Sequence, residues 1–291
     1  MSIDYLQNKI RKTKNPSILE IRFDIKLCPQ CFLPEEETAL RYKEYIRCVL
    51  SKLKGVLPGV RFSFGSFAMC GPEGMTILAE LMKFASEQDF YVILDAPEIY
   101  SPVAAQLAAD SIFAENSAYC ADGVVVSAYP GSDIWKPFIP HCEKNDKDLF
   151  VAVRTGSKSA PELQDLLSGS RLVHTVAADH VNRYGGQCVG RSGYSRVSVM
   201  ASASGQESLR SLRGKYPKLF LLVEGYDYPS ANAKNCAAAF DKLGHGAAVC
   251  ACDSILGAWQ SVQEDPDKFE EYALAAAERM KKNLTRYITV L

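Results

Sequence analysis

Residues 92–101, Val92-Ile93-Leu94-Asp95-Ala96-Pro97-Glu98-Ile99-Tyr100-Ser101, read as a buried strand, a turn and the start of a helix. Val92, Ile93 and Leu94 form a continuous apolar run, as in a strand covered on both faces. Asp95 is the first charge, at the strand's carboxyl end. Pro97 has no N–H to donate and ends regular pairing. Ser101-Pro102 then supplies a cap residue and a first-turn proline for a helix.

The same unit recurs down the chain. Strand candidates are 18–23 (ILEIRF), 59–64 (GVRFSF), 90–95 (FYVILD), 123–128 (GVVVSA), 149–154 (LFVAVR), 194–200 (YSRVSVM), 219–224 (LFLLVE) and 246–251 (GAAVCA). The stretches between them read as helices. One runs from Pro34 and three acids to Gly55; others lie in 71–88, 101–116 and 230–244, and a long one covers 265–286. Eight such units predict an α/β protein, a (β/α)8 TIM barrel, with a doubly wound open sheet as the alternative. No linker, low-complexity segment or strong repeat divides the chain, which predicts a single domain over 1–291.

With 291 residues, 47% of them hydrophobic, the chain can bury a large core. Lys plus Arg is 33 and Asp plus Glu is 34. That balance, without a basic run, gives no field for nucleic acid or an anionic membrane. No stretch approaches the ~20 apolar residues that span a bilayer. Ten cysteines without a secretory leader predict free thiols in a reducing cytoplasm. Cys28 and Cys31 form one C-x-x-C, short of the four ligands of a structural zinc site, so no metal is expected.

In a barrel of this kind chemistry sits at the carboxyl ends of the strands. Those ends carry Asp24, Arg61, Asp95, Ser127, Tyr129, Arg154, Thr155, Glu224 and Asp253. Position alone does not make a catalyst, since loop-facing ends are polar in any barrel. His174 and His180, six apart, do not share a helix face and read as packing or surface residues. Ser202-Ala203-Ser204-Gly205 reads as a capped turn. Gly190-Arg191-Ser192-Gly193 reads as a flexible loop, since no strand–glycine–helix succession makes it a nucleotide fingerprint.

Several segments in order resemble the orotidine 5′-phosphate decarboxylase family in its longer bacterial form: 1–17, 69–96, 121–138, 149–157 with 162–166, 179–185 and 221–249. The resemblance implies a homodimeric (β/α)8 barrel without a cofactor. It also implies a site built on D-A-K-R-G-D at the third strand and a lysine at the end of the second. These form an alternating Asp-Lys-Asp-Lys array in which one lysine protonates the pyrimidine carbon. Here only Asp95 is retained. Pro97 stands in the proton donor's place, Tyr100 in that of the second aspartate, and Arg61 in that of the strand-two lysine. Asp24 matches the ribose-contacting aspartate. The family's pyrimidine-contacting serine after Arg154-Thr155 aligns with Gly156, and Ser157 is adjacent. The glycine-rich phosphate loop after strand seven is replaced by Glu224-Gly225-Tyr226-Asp227-Tyr228-Pro229, and the phosphate arginine after strand eight by Asp253.

Proton donor, charge array and phosphate grip are thus altered together. Three readings follow: a pseudoenzyme acting as a binding or interaction protein, a different enzyme at the barrel mouth, and an active decarboxylase of pyrimidine biosynthesis. The third needs a lysine near Asp95; Lys26 and Lys136 are nearest by loop position. An acidic mouth suits a neutral or cationic small molecule better than a nucleoside phosphate, and the ligand's identity is not readable.

Overall fold

The computed structural model describes residues 3–262 and 265–289. Eight parallel strands close into a barrel: β1 (Ser17–Ile21), β2 (Gly59–Ser63), β3 (Tyr91–Asp95), β4 (Gly123–Ser127), β5 (Asp148–Arg154), β6 (Ser195–Ser202), β7 (Leu219–Glu224) and β8 (Ala247–Ala251). Each strand pairs with its neighbours in chain order, and β8 closes onto β1. The (β/α)8 reading is correct and the open sheet is excluded.

Strand parity sorts the core. Side chains along a strand alternate between faces. Ile18, Ile93, Val125, Phe150, Met200, Phe220, Leu222 and Ala248 pack together inside the barrel. Their sequence neighbours Leu19, Val92, Leu94, Val124, Leu149, Val199, Leu221 and Val249 belong to the outer cluster with the helices. Because both faces are covered, the strands read as unbroken apolar runs.

A helix that the strand–helix reading did not single out, Ile3–Thr13, closes the amino end of the barrel. Ile3, Leu6 and Ile10 share one face by their i, i+3, i+7 spacing and are fully buried in the inner cluster. Burying each is worth about 1.5–3 kcal/mol before the entropy of ordering the helix is charged.

Other boundaries shift. The helix expected from Pro34 begins at Thr38, and Gly55 follows its end with φ +76°. Ser101 takes the extended backbone of a cap before Pro102–Ile112, but its hydroxyl makes no capping bond. Only Ala233–Ala237 is helical after β7, and the last helix is Phe269–Thr285. A two-stranded hairpin, Leu167–Ser168 with Arg171–Leu172, rises from the loop after β5. Among the described residues no helix is long and apolar enough to cross a membrane, and no His/Cys/Asp/Glu group is arranged to hold a metal.

Candidate functional site at the barrel mouth

Two residues beyond the inner apolar layer, the same parity turns polar side chains inward. Glu20 follows Ile18, Asp95 follows Ile93, Ser202 follows Met200 and Glu224 follows Leu222. Arg61 on β2 lies directly opposite Glu20 on β1. The residue is 3% exposed, and its guanidinium lies among three carboxylates. Its Nη2 stands 2.7 Å from Glu20, 3.5 Å from Asp95 and 3.9 Å from Glu224. Nη1 lies 2.9 Å from Met200 Sδ, and Nε has no partner.

The cluster carries three acids on one base, in a place where water is scarce. Burial disfavours the ionised forms of Asp95 and Glu224, which Arg61 only partly offsets. Asp95 is pushed up to about 7, chiefly by burial and further by Glu20, Glu224 and Glu98. Its Oδ1 is buried without a hydrogen bond. Glu224 Oε1 accepts from the Gly156 N–H at 2.9 Å. The charges surrounding Arg61 instead favour its protonated form, against the effect of its burial.

The other expected residues are engaged elsewhere. Arg154 forks onto Asp165 through two bonds of 2.9 Å, and Asp165 in turn lies 3.2 Å from His174 Nδ1. This pins the loop after β5 to the helix Val173–Gly185, so Arg154 serves its own loop. Thr155 donates its N–H to Gln164 and its hydroxyl meets that of Ser157 at 3.1 Å. His174 is buried, consistent with a packing role.

Asp24 caps the short turn Ile25–Leu27 by accepting from the Lys26 N–H. Asp253 forms an ion pair with Arg22, whose Nη2 also lies 3.8 Å from Asp24. Asp227 accepts from the Cys252 N–H at 2.6 Å. Pro97 follows β3 and is half-buried; Tyr100 is exposed.

Sequence reading missed Glu20, Arg22, Asp165 and Tyr228. Glu20 was legible in principle, as a lone acid two places after a buried isoleucine in an otherwise apolar strand. Tyr228 was not, because its position depends on loop closure. Its ring lies over two glycines: a Cβ on Gly156 would stand 2.0 Å from Tyr228 Cε2, and one on Gly225 would stand 2.4 Å from Cδ2. Burial raises its phenol to about 12, with Glu224 and Glu20 adding to the effect. The ring therefore roofs the side of the mouth where β5 and β7 end.

No family model matches the chain. Among curated proteins, the orotidine 5′-phosphate decarboxylase of Caldicellulosiruptor bescii is 27% identical over 254 residues, covering 84% of this chain and 82% of that protein. That of Rhodopirellula baltica is 27% identical over 260 residues, covering 88% and 83%. That of Clostridium acetobutylicum is 24% identical over 291 residues, covering 98% and 99%. Among solved structures, a Toxoplasma gondii protein assigned provisionally as an orotidine-monophosphate-decarboxylase superposes with a TM-score of 0.82 at 22% identity, over 98% of this chain and 97% of its own. Leishmania donovani OMP decarboxylase gives 0.72 at 21%, over 97% and 99%. These two establish the fold. The curated relatives span most of both chains, and along that length the protein is similar to orotidine 5′-phosphate decarboxylases.

Proposed function

We propose that this chain is a family member that does not decarboxylate orotidine 5′-phosphate and acts as a homodimeric binding or interaction protein. The observation that carries this is the state of Arg61. The cation at the floor of the mouth is a guanidinium, which does not deprotonate, and it is held by Glu20, Asp95 and Glu224. Pro97, in the proton donor's place, has nothing to titrate. Lys136 does not supply the missing amine: its Nζ lies 4.7 Å over the Tyr184 ring and 3.9 Å from Asp133.

Phosphate binding is disfavoured on separate grounds. An anion site needs N–H donors and positive potential. Here Gly156 donates to Glu224, the Tyr228 ring stands against Gly225, and Arg22 pairs with Asp253. Remote binding energy of that kind is what a transition-state-binding enzyme draws on. The chain's single-domain organisation and cytoplasmic setting belong to this reading too.

The homodimer is supported by the apolar surface around the mouth. Met69, Tyr100, Val103 and Leu107, on the segments after β2 and β3, are between 64% and 83% exposed. Leu163, Leu166 and Leu167, on the segment after β5, are exposed as well. Exposed apolar surface of this extent marks an interface. Sedimentation at micromolar concentration should give a dimer, and Leu107→Glu a monomer; a monomeric parent protein would overturn this part.

One observation favours a second reading, a different proton-transfer reaction at the same mouth. A buried carboxyl near 7 with an unpartnered oxygen suits general acid–base work. The test of the main reading is direct: release of carbon dioxide from orotidine 5′-phosphate by purified protein, with calorimetry of uridine 5′-phosphate binding. Neither turnover nor tight binding is expected. Turnover that disappears in Asp95→Ala would refute the proposal.

A further inference from the structure

An open cleft of about 420 Å³ lies between the loop after β7, the short helix Ala233–Ala237 and the end of the last helix. Asn283, Arg286 and Tyr287, spaced i, i+3 and i+4, stand on one side of that end. Tyr226, Asn232 and Lys234 complete the polar wall.

This wall holds donors and no acid. Among the described residues neither Arg286 nor Lys234 pairs with a carboxylate. Arg279, four residues before Asn283 on the same helix, adds a third positive charge, close enough to act on the Tyr226 phenol. Asp227, beside Tyr226 in the chain, is engaged elsewhere: one oxygen accepts from the Cys252 N–H at 2.6 Å and the other is buried. Asn232 Oδ1 accepts from the Asn235 N–H at 3.0 Å, which fixes the amide and leaves Nδ2 to donate. Asn283 Nδ2 donates to the Tyr226 hydroxyl oxygen at 3.3 Å, so the phenol keeps its own proton to donate. One feature opposes an anion here. The cleft meets the carboxyl end of a helix, whose free carbonyls carry roughly half a negative charge. Arg286 and Lys234 bring two full positive charges to the same wall and outweigh it.

We infer that this cleft binds a small metabolite that carries an oxyanion, a phosphate or a carboxylate, on a planar ring. The oxyanion sits against the Arg286 fork and the Lys234 ammonium. The ring lies against Tyr287, which is 55% exposed. The cleft shares no residue with the cluster around Arg61, so the inference stands apart from the reading of the mouth.

The test is calorimetry of the full-length protein at low salt with phenyl phosphate, benzoate and inorganic phosphate. The first two separate phosphate from carboxylate, and the third lacks the ring. At least one ring-bearing probe is expected to bind saturably and more tightly than inorganic phosphate. Arg286→Gln should weaken that binding about tenfold, because it removes a charge-assisted donor pair. Tyr287→Ala should weaken the ring-bearing probe only. Both side chains are exposed, so neither change threatens the fold. Arg22→Ala, at the mouth, should leave binding unchanged. No saturable heat at millimolar probe, no preference for a ring-bearing probe over inorganic phosphate, binding unaffected by Arg286→Gln, or binding lost in Arg22→Ala would each overturn the inference.

Discussion

Asp95→Asn should stabilise this protein at neutral and alkaline pH, although it deletes a charge that faces an arginine. The side chain is 12% exposed and its carboxyl is raised from the ordinary 3.8 to about 7. The shift already nets the attraction of Arg61 against burial and the repulsion of Glu20, Glu224 and Glu98. A folded-state value above the unfolded one means that the native protein holds the proton more tightly. The resulting stabilisation is fully present below about 3.8 and is lost as pH rises through about 7. At 1.36 kcal/mol per decade, the full loss is about 4 kcal/mol, an upper bound because side chains relax around a buried charge. Asparagine keeps the shape and never ionises. The expected gain is about 1–4 kcal/mol at pH 8 and at most about half of that at pH 5. Urea unfolding of both proteins across this range, followed by circular dichroism, measures the difference directly. A variant less stable than the parent at pH 8, or a difference that does not change with pH, would refute the reasoning.

Arg61→Met should have the opposite sign, costing about 3–5 kcal/mol at pH 8, because it strands Glu20, Asp95 and Glu224 together without a counter-charge. The same urea series should show the cost shrinking toward pH 5 as Asp95 takes up a proton. Gly225→Ala should cost about 1–3 kcal/mol, since the residue has φ +81° and a Cβ would meet the Tyr228 ring. A loss below ~0.5 kcal/mol would mean that the ring does not rest there. Pro97→Lys combined with Tyr100→Asp should restore no decarboxylation in a carbon dioxide release assay. The pair returns two side chains but leaves Arg61 neutralised and Asp253 bound to Arg22.

The barrel was legible because one local rule repeats: apolar runs bounded by an acid or arginine, then a capped or proline-led helix. Asp95, Arg61 and Glu224 were legible as a set because parity and strand ends place them without knowledge of any loop. Arg154 shows where that reasoning stops. It stands at the right strand end, yet Asp165, eleven residues later, takes both of its Nε and Nη2 donors. Asp253 likewise occupies the expected position, but its partner Arg22 lies 231 residues away, on the segment after β1. Strand periodicity fixes which way a side chain points; it does not say which neighbour reaches it first.

Glu20 is the residue that makes the altered mouth intelligible as a folded structure. An arginine buried at this depth needs a counter-charge, because its desolvation is expensive. Glu20 supplies one at 2.7 Å from the adjacent strand, at the directly opposed register position. Glu224 adds a second from across the barrel and is itself anchored by the Gly156 N–H. The carboxylates around Arg61 are thus of two kinds. Glu20 and Glu224 have specific partners, whereas Asp95 Oδ1 has none. Of the three, Asp95 is the one whose removal should relieve the fold, and the one still placed to exchange a proton with a bound molecule. At the mouth, three carboxyls surround one guanidinium, and the oxygen left without a partner belongs to Asp95.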